Sequence, residues 1–187
     1  MIFTKEEIRK NFKQKRREMD KSEASEKSLA AAKAFLSTEF YKSARQLMLY
    51  MPLGNETDTT LIIKEAFRDE KLVVVPCTDG KSGEITPCFI TQNTEFAKGA
   101  FSVKEPTQKE KADMKKTDVV LVPGIAFDKT GARIGFGKGC YDMLLKDCPA
   151  VKVGFCYSYQ ICNELPAEKH DIRMDYLVTE KGIFKCR

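Results

Sequence analysis

The segment Val122-Pro-Gly-Ile-Ala-Phe-Asp-Lys-Thr-Gly-Ala-Arg-Ile-Gly-Phe-Gly-Lys-Gly-Cys-Tyr-Asp142 interleaves glycines with cationic and acidic residues. Gly131, Gly135, Gly137 and Gly139 allow positive φ and let backbone N–H groups approach a bound anion. The helical pattern that starts near Tyr141 offers unpaired N–H groups and the positive end of its dipole. Arg133 and Lys138 add fixed positive charge inside the same loop. Asp142 adds a carboxylate, which phosphate binding alone would not favour. It makes sense as a ligand for a divalent cation that travels with phosphates. The pattern reads as a nucleotide-triphosphate site with magnesium. Glycine-rich strand-to-helix loops also serve as simple turns, but the interleaved Arg133, Lys138 and Asp142 favour the anion site.

Two standard glycine loops do not fit. A Walker A loop needs Ser or Thr after Gly137-Lys138, where Gly139 stands. The dinucleotide fingerprint, counted from Gly135 and Gly137, needs a glycine or alanine at Cys140.

Other groups could join this loop. Lys5 and Arg9 are four residues apart and share one face of a first helix. Cations in a first turn oppose the dipole, a small cost that a docking anion would offset, although such pairs are often simply solvated. Met51 and Glu56 fall where a strand ends and a helix begins, a favourable place for ligand contacts. Glu56 reads either as a ligand contact or as a helix-start acid. His170, beside Asp171, is the only histidine, and no nucleophile elbow accompanies it to suggest a triad.

These groups need a scaffold. Thr4-Lys-Glu-Glu7 is a capping-box pattern opening a helix with Ile8, Phe12 and Met19 at near-helical spacing. Asp20 starts a second helix through Ala30, Ala34 and Phe35. A first strand is expected at Leu47-Met-Leu-Tyr-Met51. A helix follows from about Asp58, with Leu61, Ile62 and Ala66 facing inward. Leu72-Val-Val-Val-Pro76 is the continuous apolar run of a buried parallel strand. Residues 78–107 are turn-rich, with an antiparallel strand over Ile85–Ile90. Val119–Val122 should lead into the glycine loop, a helix should cover about residues 141–146, and strands are expected over residues 151–157 and, last, Tyr176–Thr179. This alternation favours α/β architecture: one domain over residues 1–187, a three-layer sandwich around a central, mostly parallel, Rossmann-like sheet. Ligands should gather at the carboxyl ends of its strands.

Composition narrows the function classes. The 187 residues are 42% hydrophobic and 32% charged, as in an ordinary folded globule. No apolar run reaches the roughly 18 residues of a membrane span, and the first residues carry no secretory pattern, so a cytoplasmic protein without membrane partners is expected. The seven cysteines include no Cys-x-x-Cys pair, and reduced, mostly buried thiols are expected. The net charge of +5 is modest, and the lysines of residues 109–116 are diluted by Glu110 and Asp113 without adjacent aromatics. A solvated segment is expected there, not a nucleic-acid site.

The glycine segment closely resembles the signature of the 5-formyltetrahydrofolate cyclo-ligase (methenyltetrahydrofolate synthetase) family. That family carries Pro-Gly, then Phe-Asp, then Gly-x-Arg-Leu-Gly-x-Gly-x-Gly-x-Tyr-Asp. Here the same frame holds Pro123-Gly124, Phe127-Asp128, Gly131, Arg133, Gly135, Gly137, Gly139, Tyr141 and Asp142. The resemblance implies ATP- and magnesium-dependent closure of 5-formyltetrahydrofolate to 5,10-methenyltetrahydrofolate, with ADP and phosphate released. It implies ATP contacts at Lys5, Arg9 and the run Arg133, Ile134, Gly135, Phe136, Gly137, Lys138, Gly139, Cys140 and Tyr141. Arg133, Lys138 and Asp142 would carry the chemistry. Met51 and Glu56 would contact the folate, Glu56 by accepting hydrogen bonds from the amino-pyrimidine edge of the pterin. Asp142 and Asp171 would contact magnesium, with Asp175 an alternative in the late loop. The enzyme is expected to be a monomer, and its partners are the folate and ATP. Cys140 departs from the pattern: the family usually has tyrosine there, and a thiol lacks that ring and hydroxyl. Two other classes remain open: a different phosphotransferase with no need for Glu56, and a nucleotide- or folate-binding module without turnover.

Overall fold

The computed structural model describes residues 4–168 and 171–187; His170 lies outside the described residues. The chain opens with α1 (Lys5–Glu18), where Thr4 and Glu7 form the expected capping box. Helix α2 (Lys21–Leu36) is capped by Asp20. A short α3 (Glu39–Ser43), capped by Thr38, precedes the sheet. The strands and remaining helices are β1 (Gln46–Met48), α4 (Thr60–Arg68), β2 (Leu72–Thr78), β3 (Ile85–Ile90), β4 (Phe96–Lys98), β5 (Lys104–Pro106), β6 (Val119–Val122), β7 (Ala126–Asp128) and β8 (Arg133–Ile134). They continue with α5 (Cys140–Leu145), β9 (Val151–Phe155), β10 (Ile161–Cys162), β11 (Tyr176–Thr179) and β12 (Gly182–Lys185).

Seven strands form the central sheet in the order β12-β11-β9-β6-β1-β2-β3. The inner five are mutually parallel, and β12 and β3 run antiparallel at the two edges. The inner strands are apolar runs because both their faces are covered. On one face Ala31, Ala32 and Phe35 of α2, Tyr41 of α3, and Ile62 and Ala66 of α4 pack on Leu47, Val73, Leu121 and Val153. On the other, Leu145 of α5 joins Phe127 and Met174 over Met48, Val74, Val120 and Leu177. The expected single-domain three-layer α/β sandwich is therefore present. No helix among the described residues is long and apolar enough to cross a membrane.

Four features differ from the sequence expectation. The short α3 is a third opening helix, formed because the Thr38 hydroxyl accepts from Tyr41 N and so supplies a cap. Strand β12 follows β11, which was expected to be last; at four residues, mostly exposed, it carries too little apolar pattern to stand out. Residues 78–107 contain a further hairpin, β4–β5, besides β3.

The fourth difference bears on the site. Strand β6 does not lead directly into the glycine loop; a second small sheet, β10-β7-β8, intervenes. The β7–β8 turn is held by Asp128, whose buried carboxylate accepts from Thr130 N, Thr130 Oγ1, Ala132 N and Leu165 N. Gly131 has φ +83°, and a Cβ there would lie 2.2 Å from the Met174 carbonyl oxygen, so only glycine fits. Helix α1 rests on this small sheet through Ile8, which packs with Ala126, Ala132, Ile134 and Leu165. That contact places Lys5 and Arg9, about one helical turn apart on α1, beside the glycine loop.

Candidate active site

A cavity of about 760 Å³ opens at the carboxyl ends of β1, β2 and β6, where Met51, Thr78 and Pro123 line it. Helix α1 and the β8–α5 loop form its other walls. Of the residues that the sequence suggested for the site, all but the alternative Asp175 reach this one cavity: Lys5, Arg9, Met51, Glu56, Asp171 and the whole run from Arg133 to Asp142. A slightly larger groove between α1 and residues 162–166 gathers none of them except α1's opposite side.

The loop's glycines divide their work. Gly137 and Gly139 have φ of +105° and +66°, conformations that L side chains resist. Gly135 is not in that region; its role is space, since a Cβ there would sit 2.7 Å from Arg133 Nη1. Arg9 crosses from α1 to donate from Nε to the Gly135 carbonyl at 3.0 Å. Helix α5 has only six residues and no side-chain cap at Gly139, so its dipole is small. Its first N–H groups still lack intrahelical acceptors.

Arg133 is the best-prepared cation. Its side chain is 6% exposed and donates from Nη2 to Asp142 Oδ2 at 2.9 Å. Its guanidinium lies over the Tyr141 ring, 5.7 Å from the centroid. Its Nε is buried and has no hydrogen-bond partner among the described residues. Such an orphan donor normally costs free energy unless a ligand or water completes it. Lys138, by contrast, sits on the Phe101 ring at 4.1 Å.

The acids are held as firmly. Asp142 Oδ1 accepts from Ile172 N at 3.1 Å, which brings the loop after Asp171 against Asp142. Asp171 accepts from Lys5 Nζ at 2.8 Å, and Glu168 does the same. Burial alone would lower the Lys5 pKa, but these two carboxylates outweigh it and raise it, so the ammonium is secure. Lys5 and Arg9 are therefore engaged, not freely solvated. Asp175 points elsewhere, accepting from Lys152 N at the end of the sheet.

Glu56 is not a helix-start acid. Helix α4 begins at Thr60, and the Glu56 side chain, 8% exposed, instead accepts from Arg16 Nη1 at 3.2 Å and from Leu53 N at 3.0 Å. Burial raises its pKa, while Arg16 and the Leu53 amide pull it back down. Burial also raises the hydroxyl pKa of neighbouring Tyr50 and Tyr141.

Magnesium suits this donor set. It typically takes one or two carboxylates and completes its octahedron with phosphate oxygens and water. Asp142 and Asp171 flank the adjoining loops, and no cluster of three His, Cys, Asp or Glu side chains among the described residues forms an all-protein cage. The cysteines are free; Cys77, Cys88, Cys148 and Cys156 are buried and the other three partly so. Of residues 109–116, Lys109 pairs with Glu105 and the rest is mostly exposed.

Sequence reasoning missed part of the wall. Pro76, Thr78, Phe101 and Val103 come from stretches that carry no charged motif. Phe101 is half exposed and has φ +54°, rare for a bulky residue. Its only sequence signal is an isolated aromatic after Gly99 in a turn-rich stretch.

A family model described as the 5-formyltetrahydrofolate cyclo-ligase family matches residues 2–180. The chain is similar to the 5-formyltetrahydrofolate cyclo-ligase of Saccharomyces cerevisiae, 32% identical over 207 residues and covering 97% of each chain. The mouse enzyme of the same name is 27% identical over 186 residues, with 92% of each covered. The NMR structure of Aquifex aeolicus 5,10-methenyltetrahydrofolate synthetase superposes with a TM-score of 0.88 and 35% identity, over 99% of this chain and 94% of that one.

Proposed function

The chain belongs to the 5-formyltetrahydrofolate cyclo-ligase family, and from this we infer that it uses ATP and magnesium to close 5-formyltetrahydrofolate to 5,10-methenyltetrahydrofolate, releasing ADP and phosphate. The observation that carries the reading is the convergence of Arg133, Lys138, Asp142, Lys5, Arg9, Met51 and Glu56 on one cavity.

The chemistry asks for positioning more than for a protein nucleophile. A formamide oxygen is a poor leaving group. Transfer of the γ-phosphoryl group onto it turns that oxygen into a phosphate ester, and the neighbouring folate nitrogen attacks the activated carbon. Phosphate departs and the nitrogen loses its proton. Arg133 and Lys138 neutralise charge on the transferring phosphoryl group, and the Gly135 to Gly139 amides grip its oxygens. Lys5 and Arg9 anchor the nucleotide side of the cavity. Glu56 accepts from the pterin's amino-pyrimidine edge, with Met51 as an apolar wall. Asp142 and Asp171 would hold magnesium, which would supply further neutralisation of phosphate charge. The residues given roles here all belong to one chain, so the reading requires no second subunit.

Coupling of ATP to folate tests this reading. Hydrolysis of magnesium-ATP should be slow alone and rise sharply once 5-formyltetrahydrofolate is added, because the formyl oxygen is the phosphoryl acceptor. Turnover indifferent to the folate would indicate a different phosphotransferase, and no turnover under any condition a binding module.

The pterin contact has its own test. Glu56→Gln should weaken folate binding by about 1.5–3 kcal/mol, the scale of a hydrogen bond to a charged group, with ATP affinity little changed. Calorimetry would show it; equal losses for both ligands would assign Glu56 to folding instead.

A further inference from the structure

Glu56 reaches the cavity, but the group that holds it does not. Arg16, on the last turns of α1, stands behind the cavity wall and donates from Nη1 to Glu56 Oε1 at 3.2 Å, with its side chain 14% exposed. The adjoining turn grips the same helix end from the other direction. Asn55 Nδ2 donates to the carbonyls of Arg16 at 3.2 Å and of Met19 at 3.0 Å. Carbonyls in a last helical turn have no intrahelical donor, so this amide caps α1 and fixes it against residues 53–56. The Arg16 guanidinium also lies 5.5 Å from the centroid of the Phe136 ring, on the glycine loop, and Lys13 covers that ring at 5.1 Å. One side chain thus touches both the carboxylate on the folate side and an aromatic of the nucleotide loop.

We propose that Arg16 is a positioning residue: braced against the Phe136 ring, it orients the Glu56 carboxylate toward the folate from behind. The proposal rests on the reading of Glu56 as the folate contact. A buried carboxylate stays charged only if a cation or several donors compensate the loss of water. Here the compensation comes from Arg16 on α1 and the Leu53 amide. Among the described residues, the other groups facing Glu56 are hydroxyls: Tyr50 after β1, Tyr141 on α5, and Tyr157 after β9, which donates to the Glu56 backbone carbonyl. Tyr157 and Tyr159 face Arg16 in turn. Burial raises the pKa of all four phenols, so none supplies a charge near neutral pH.

Without the guanidinium, Glu56 would take up a proton at a higher pH than it does now. A protonated carboxyl has one oxygen turned into a donor and can no longer accept twice from an amino-pyrimidine edge.

The experiment is steady-state kinetics of the purified protein across pH, varying 5-formyltetrahydrofolate and ATP separately, for Arg16→Met, Arg16→Lys, Glu56→Gln and the Arg16→Met/Glu56→Gln double variant. Arg16→Met should raise the KM for the folate by about tenfold at neutral pH, with the KM for ATP changed by less than about threefold. The acid limb of kcat/KM for the folate should move to higher pH, so that the deficit shrinks as pH rises. Arg16→Lys should recover most of the loss and move the same limb slightly in the same direction, which keeps the inference testable should the methionine variant fold poorly. On the Glu56→Gln background, Arg16→Met should add almost nothing. An acid limb that stays in place, or an Arg16 loss that adds in full to that of Glu56→Gln, would overturn the inference while leaving the Glu56 reading intact. A Glu56→Gln variant with an unchanged folate KM would instead remove the Glu56 reading, and this inference with it.

Discussion

Substituting methionine for Arg133 is expected to lower kcat by roughly a hundred- to a thousandfold while the protein remains folded. The expectation follows from how completely the guanidinium is fixed before any substrate arrives. It is held by Asp142, lies over Tyr141, and occupies space that a Cβ at position 135 would crowd. A donor preorganised in this way costs no reorientation when charge develops on a transferring phosphoryl group. Methionine keeps much of the aliphatic stem and removes the charge. Arg133→Lys should recover only part of the loss, because an ammonium cannot reproduce a planar fork that serves Asp142 and a phosphate together. Measured kcat and thermal unfolding decide the matter. A large drop in melting temperature with kcat preserved would make Arg133 a structural residue whose partner happens to be Asp142.

A loss of similar size is expected for Asp142→Asn, with a different signature. Asparagine keeps the shape and can still accept from Ile172 N, but it lacks the charge that pairs with a divalent cation. Activity should fall by about a hundredfold or more and return in part as magnesium is raised. Lys138→Met should also cost activity, and extra magnesium should not repair it, because the missing charge acts on phosphate directly. The comparison is needed because Asp142 also holds Arg133. A variant that merely releases Arg133 would lose activity without responding to metal. Identical magnesium responses in the two variants would remove Asp142 from the metal site and leave it as the anchor of Arg133.

What could be read from the residues beforehand was what local chemistry specifies. The capping box at Thr4, the Asp20 cap and the Val-rich strands β2 and β6 form as their patterns require, since each depends on neighbours in sequence. The glycine loop carried a dense local signal, and the loop lines the cavity. The β7–β8 hairpin did not show itself, because strands of two or three residues carry too little alternation. Its turn depends instead on Asp128 gathering N–H groups, including one from Leu165 far along the chain. Gly135 was expected to bend the backbone and instead clears space for Arg133, a distinction that needs the neighbour's position. Phe101 and Thr78 reach the site because the β2–β3 edge and its following hairpin fold over it. Arg16 and Glu56 lie forty residues apart, and no spacing rule connects a helix's last turn to a distant strand-end turn.

The most direct measurement combines the purified protein with magnesium-ATP and 5-formyltetrahydrofolate and follows the near-ultraviolet absorbance of the methenyl product. Product should accumulate only when protein, nucleotide and folate are all present, in step with the ADP released, and Arg133→Met should abolish most of it. Absence of methenyl product from folded protein that binds both ligands would contradict the account and leave the cavity a binding site without the ring-closing chemistry.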